Sequence, residues 1–196
     1  MSQAANKLAS RDLASLIPHL DLGPEATAAT AACGHATDAL TKLEAGGFLV
    51  EATKLMAHAL PKREAVWWSC MCSSHTAPPD LPDADQKCRG AAEEWVRGQS
   101  EKQRYAAWDA AQASGYGTPE VYTAVAAFWC GGSMAPEGQP AVPPQPHFVG
   151  NAVAGVIALS AVRGDPTKRD ARLKRFLESG RNIAAGGPGR LPPETA

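Results

Sequence analysis

At 196 residues the chain can build one substantial hydrophobic core or two small ones. Its 19 basic and 20 acidic residues leave a net charge of −1, which excludes a global electrostatic pull toward nucleic acid or an acidic partner. Five cysteines, with no apolar run in the opening MSQAANKLAS, point to reduced thiols in a cytoplasm and not to a disulfide framework.

Nearly every periodic segment reads as helix, and no run of alternating β-branched residues makes a convincing strand. Residues 10–17 form a short amphipathic turn or helix that ends near Pro18. A helix then opens at Pro24 and Glu25 and runs to Gly46-Gly47. The next, in FLVEATKLMAHAL, sets Leu49 or Val50, Thr53, Met56 or Ala57, and Leu60 along one side.

The segment PKREAVWWSCMCSSH starts at Pro61 and places Trp67 and Met71 on one side. Trp68, Cys72 and His75 lie about 100° further round. Two adjacent indoles cover so wide an arc that the helix is expected inside the fold, unless one indole serves a partner. APPDLPD breaks the chain at 77–83. Two surface helices follow, one with Ala84, Cys88, Ala91 and Trp95 at helical spacing and one with Tyr105, Trp108 and Ala111. TPEVYTAVAAFWC has Thr118 at the N-cap, Pro119 at the first position and otherwise nearly all apolar residues, so it is expected to be central.

Residues 131–147, GGSMAPEGQPAVPPQPH, hold five prolines and three glycines, a loop long for a compact domain, which is either a docking segment for a partner or a mobile linker with no role. FVGNAVAGVIALSAV (148–162) is 15 apolar-rich residues, roughly 22 Å of helix against roughly 30 Å of hydrocarbon, so it reads as a core helix and not as a membrane span. In the last helix Asp165 caps, Pro166 opens and Leu173, Phe176 and Leu177 form the stripe. GGPGRLPPETA reads as a disordered tail.

Three kinds of chemistry deserve weighing. Cys70, Cys72, His75 and Cys88 are acceptable zinc ligands in type, but Cys70 and Cys72 sit about 200° apart on a helix and no C-x2-C knuckle occurs. A nucleophilic thiol, Cys72 with His75 or Cys33 near His35, needs a depressed pKa. Cys70 and Cys72 lie away from the helix N-terminus, the end that would supply it. The stretch from Arg163 to Arg181 carries Arg163, Lys168, Arg169, Arg172, Lys174, Arg175 and Arg181, but without interleaved aromatics it reads as a solvated face before it reads as a nucleic-acid surface. No phosphate loop, dinucleotide fingerprint or H-E-x-x-H appears. No catalytic residue, cofactor or metal site is therefore assigned.

The segment LPKREAVWWSC resembles an uncharacterised bacterial family of small helical proteins found in type VI secretion gene neighbourhoods, and the 148–162 helix with its Pro-rich approach fits the same resemblance. That resemblance implies a cytoplasmic adaptor or chaperone-like accessory whose partner is a secretion component or effector, and no catalytic residues. The expected fold is all-α, one domain of about seven or eight helices over residues 1–183, with 61–75, 119–130 and 148–162 inside and a disordered tail from 184. The expected partner-binding residues are Trp67, Trp68, Met134, Pro143, Pro144, Pro146 and Phe148. A small enzyme using Cys and His and a nucleic-acid binder using the basic helix are the competing readings.

Overall fold

Alanine and leucine at helical spacing dominate the chain, and the computed structural model, which describes residues 7–8, 12–136 and 138–194, turns them into nine α-helices. No strand occurs among the described residues. The opening ten residues read for an export signal lie mostly outside the described ones, as do residues 10 and 11 of the expected first helix, Glu137 and residues 195–196.

Two 3₁₀ turns, Leu13–Ser15 and Ile17–His19, stand where a short turn or helix was expected. The helix expected from Pro24 to Gly46 is in fact two, α1 (Pro24–Thr30) and α2 (Ala36–Ala45). The break forms where Asp12 and His35 pair as an isolated bridge, with Leu13 N–H donating to the Gly34 carbonyl at 3.3 Å. α3 is Leu49–Ala59 and α4 is Lys62–His75, and the extended backbone at Leu60 and Pro61 separates them fully. α5 (Asp83–Gly98) stops at a left-handed Gln99, and a Ser100–Gln103 capping box starts α6 (Glu101–Ser114). α7 (Pro119–Phe128), α8 (Phe148–Val162), a 3₁₀ turn at Pro166–Lys168 and α9 (Arg169–Ala184) complete the chain.

Nine helices exceed the expected seven or eight because of that split. α5, α6 and α7 pack on one another, and α8 is gripped by α3, α4, α7 and α9. α4 also touches α5, α7 and α9, so it lies where the two groups of helices meet. Trp68, Cys70 and Cys72 are fully buried there, as are Val121, Ala124 and Phe128 of α7. α8 departs from expectation: Val153, Val156 and Ile157 are buried, but Asn151, Ala158, Leu159 and Val162 face solvent.

The expected disordered tail is also corrected. Residues 185–194 lie against α4 and α9. The Trp67 indole donates to the Pro188 carbonyl at 2.7 Å, the Ser179 hydroxyl to the Gly189 carbonyl at 2.6 Å, and Arg172 pairs with Glu194. Pairing with fixed groups of the domain overrides what a Gly/Pro-rich composition suggests on its own.

Candidate interaction surface

The two thiols of α4 are packed away from solvent. Cys70 and Cys72 are fully buried, and burial raises both thiol pKa values, against what a nucleophile requires. Burial likewise pushes the Cys130 thiol up to about 12. His75 is turned away from thiolate chemistry: its Nδ1 meets the Pro192 carbonyl and its ring stands edge-on to Phe176. Cys33 is half-buried beside an exposed His35. Among the described residues no group of three or more His, Cys, Asp or Glu side chains could hold a metal ion.

The basic stretch is largely neutralised by its own chain. Arg163 pairs with Glu120, Arg172 and Lys168 with Glu194, Arg169 with Asp170 and Arg181 with Glu44. Among the described residues that leaves Lys174 and Arg175 without an ion pair. Two cations on one helix are a poor phosphate track.

What the fold does expose is apolar. One face of α8 carries Asn151, Ala154, Gly155, Ala158, Leu159 and Val162, and a cleft lies on each side of it. The larger, about 500 Å³, is walled by α3 and α9 and lined by Val50, Lys54, His58, Leu173 and Arg169. The second, about 380 Å³, is walled by Tyr122 and Trp129. Leu159 is 36% and Val162 42% exposed, two of the four large hydrophobic side chains most open to water.

Aromatic rings form a belt around the start of α8. Trp129 packs on Phe148 at 5.1 Å and Phe148 meets His147 edge-on. His147 stacks on His19 at 4.4 Å, and His19 lies 6.2 Å from His58. Stacked imidazoles present faces to one another, so their lone pairs do not converge as a metal site needs. His58 lies against the α8 backbone: a Cβ added at Gly150 would come within 2.3 Å of its Nδ1, so only glycine fits. Burial, with the charges of His19 and His147 adding to it, lowers the His58 pKa to about 4 against the pull of a hydrogen bond with Asn151.

The expected partner-binding residues are divided by the structure. Trp68 is fully buried and its indole donates to the Phe176 carbonyl at 2.8 Å, so it is a core residue with no face for a partner. Trp67 is half-buried and covered by the chain's own Pro188. In the Pro-rich loop Pro143 and Pro146 are exposed, Pro144 is half-buried, and Met134 is half-buried with its N–H donating to the Val142 carbonyl at 2.8 Å. The Ser133 hydroxyl accepts from the Ala135 and Val142 amides, and the Tyr105 hydroxyl donates to the Ala135 carbonyl. The loop is pinned at its base, therefore, and only its Pro-rich limb is left outside. Phe148 joins the belt, half-buried on Trp129.

Sequence reasoning missed His19, His58, Leu159 and Val162. The histidines lie far apart in sequence, and α8 is apolar on every side, so no polar stripe marks its outward face.

Residues 39–184, three quarters of the chain, match the model of a family of unknown function, DUF6931. No curated protein and no solved structure matches the chain. No helix among the described residues is long and apolar enough to cross a membrane by itself.

Proposed function

We propose that the chain, which belongs to the DUF6931 family of unknown function, is a non-enzymatic protein-interaction module. The observation that carries this reading is the outward face of α8: about 22 Å of apolar helix surface, flanked by two clefts and headed by a belt of aromatic rings. A contiguous apolar strip is costly to leave in water, and aromatic side chains beside small ones are typical of contact surfaces. Gly155 and Ala158 let a partner's backbone approach α8 closely. The exposed Pro143 and Pro146 lie just before the belt in sequence and form a low-entropy limb suited to a shallow groove.

The finer reading rests on the resemblance of LPKREAVWWSC to a bacterial family of type VI secretion gene neighbourhoods. In that setting the module is a cytoplasmic adaptor or chaperone-like accessory, and its partner is a secretion component or effector. Packing of Cys70, Cys72 and His75 away from solvent supports the non-enzymatic part.

The test is capture from the native host with three baits: the wild-type chain, Leu159→Glu with Val162→Glu, and a chain whose residues 134–146 are a Gly/Ser linker of equal length. Both substituted side chains are open to water, so melting temperatures should stay within a few degrees. The α8 variant should lose the wild-type partner by at least tenfold in affinity, about 1.4 kcal/mol, and the loop variant should lose part of it. Equal recovery by all three baits would remove the α8 face from the interaction. Loss with the loop variant alone would move the contact to the Pro-rich limb.

A further inference from the structure

Pro188–Glu194 runs over α4 and α9 with the hydrogen bonds of a bound peptide more than those of a loop. Five of its backbone groups are read by the helices. The Pro188 carbonyl accepts from the Trp67 indole at 2.7 Å, the Gly189 carbonyl accepts from the Ser179 hydroxyl at 2.6 Å, and the Gly189 N–H donates to Asn182 Oδ1 at 2.8 Å. The Pro192 carbonyl meets His75 Nδ1, and the Glu194 N–H donates to the His75 carbonyl at 2.7 Å. At Glu194 the helices also read a side chain.

That reading is done by a built receptor. Arg172 is 5% exposed, and its Nη1 donates to the carbonyls of Ala161, Arg163 and Asp165 at 3.0, 2.6 and 3.2 Å. These carbonyls lie at and beyond the end of α8, where helical partners run out, and together they fix the guanidinium plane. Nε and Nη2 are left facing the groove, and both hold the Glu194 carboxylate, at 3.1 and 2.6 Å. A fork held from behind is the arrangement that recognises a carboxylate bidentately. Arg172, His75, Trp67, Ser179 and Asn182 all lie within the family-matched residues 39–184, and the segment they hold lies outside.

The groove is also richer in positive charge than its occupant can satisfy. Beside Glu194 lies a cavity of about 90 Å³ lined by His75, Lys168, Ala171, Arg172 and Arg175. Lys168 is 3.8 Å from the carboxylate, Arg175 has no ion pair among the described residues, and His75 Nε2 is buried with no hydrogen-bond partner. Among the described residues one carboxylate shares that cavity with Lys168, Arg172 and Arg175, which leaves room and charge for a second acid.

We infer that the α4/α9 groove is a binding site for an extended, proline-containing acidic peptide of a partner protein, and that Pro188–Glu194 occupies it in cis as a built-in competitor. Backbone reading gives the groove affinity for any extended chain, Arg172 selects a carboxylate at one position, and prolines lower the ordering cost of the ligand. At the far end Gly189 has φ +60°, and a Cβ there would come within 2.3 Å of Ile183 Cγ1, so the ligand needs glycine or a gap at that position. This inference stands apart from the α8 reading, with which it shares Ala161, a wall of the larger cleft whose carbonyl holds Arg172.

The test uses the full chain and a fluorescent peptide of sequence GPGRLPPE, alongside GPGRLPPQ and GPGRLPPEE. Full-length Glu194→Lys, which loses its cis anchor, should bind GPGRLPPE at least tenfold more tightly than wild type. The Gln peptide should bind at least tenfold more weakly than GPGRLPPE, and the doubly acidic one more tightly. In the wild-type chain, an excess of GPGRLPPEE should speed amide exchange at residues 189–194, a readout that needs no substitution. No speeding of that exchange at millimolar peptide would overturn the inference. So would equal binding of the Glu and Gln peptides, because the carboxylate fork would then not be read.

Discussion

Adjacent in sequence, Trp67 and Trp68 point about 100° apart on α4, and the two indoles have different fates. Trp68 goes to the centre, fully buried, with its N–H on the Phe176 carbonyl of α9. Trp67 lies half-buried under residues of the 185–194 segment. Trp68→Ala should therefore cost about 3–5 kcal/mol, the range for deleting a large buried aromatic. Trp67→Ala should cost about half as much, because partial burial and one hydrogen bond are lost. Denaturant melts of the two variants check this. Equal losses would mean that the covering segment is as firmly packed as the core. His58 makes a second residue-scale prediction, on pH. Its neighbours are His19 and His147 in the stack and Asn151 of α8, with Lys54 and Asp21 on the same cleft wall. Unfolded, its imidazole takes a proton near the ordinary 6.5, whereas folded it does so only near 4. Between those values the unfolded state holds the extra proton, so stability should fall as pH drops from 6.5 to 4 and level off below. His58→Gln should flatten that part of the melting-temperature profile. An unchanged profile in the variant would assign the loss to other groups.

At the scale of elements, what could be read from sequence was whatever the periodicity of one helix decides alone. The rotation of α4 is the clearest case: Trp68, Cys72 and His75 share a buried side and Trp67 and Met71 a half-buried one, the grouping their spacing gives, though which side is the deeper was not readable from it. α7 is likewise buried almost throughout. Features set by contacts between distant segments were not legible. Thr118 stands at the α7 N-cap as expected, but its hydroxyl donates to Asp85 of α5 and leaves the helix N-terminus uncapped by a side chain. The basic character of the last helix dissolved into pairs with Glu44, Glu120 and Glu194, partners 137, 43 and 22 residues away from Arg181, Arg163 and Arg172. The histidine stack gathers His19, His58 and His147 from three separate segments and leaves no local pattern. The outward face of α8 was hidden for the opposite reason. A helix apolar on all sides carries no contrast from which to read which side is buried.

For the whole molecule the question is what holds the α5–α6–α7 group to the α3–α8–α9 group beyond the packing of α7 on α8 and the shared packing on α4. One carboxylate joins four elements. Glu120, in the first turn of α7, is fully buried. It receives both Nη groups of Arg163, from the turn after α8, and lies 3.7 Å from Arg89 of α5. Arg163 Nη1 also reaches the Ser73 carbonyl of α4 at 3.4 Å. Burying that carboxylate costs several kcal/mol of lost hydration, which the two arginines offset only while both sides remain in place. Glu120→Ala should accordingly destabilise the fold by up to about 3–5 kcal/mol, because it takes the shared carboxylate from the half-buried guanidiniums of Arg163 and Arg89. Arg163→Ala should cost a comparable amount by stranding the acid. The double variant should cost clearly less than the sum, since neither charge is left alone. Urea melts of the four chains measure the coupling. Simple additivity would mean that Glu120 and Arg163 act independently, and that apolar packing of α7 on α8 and of both groups on α4 joins them without this polar link.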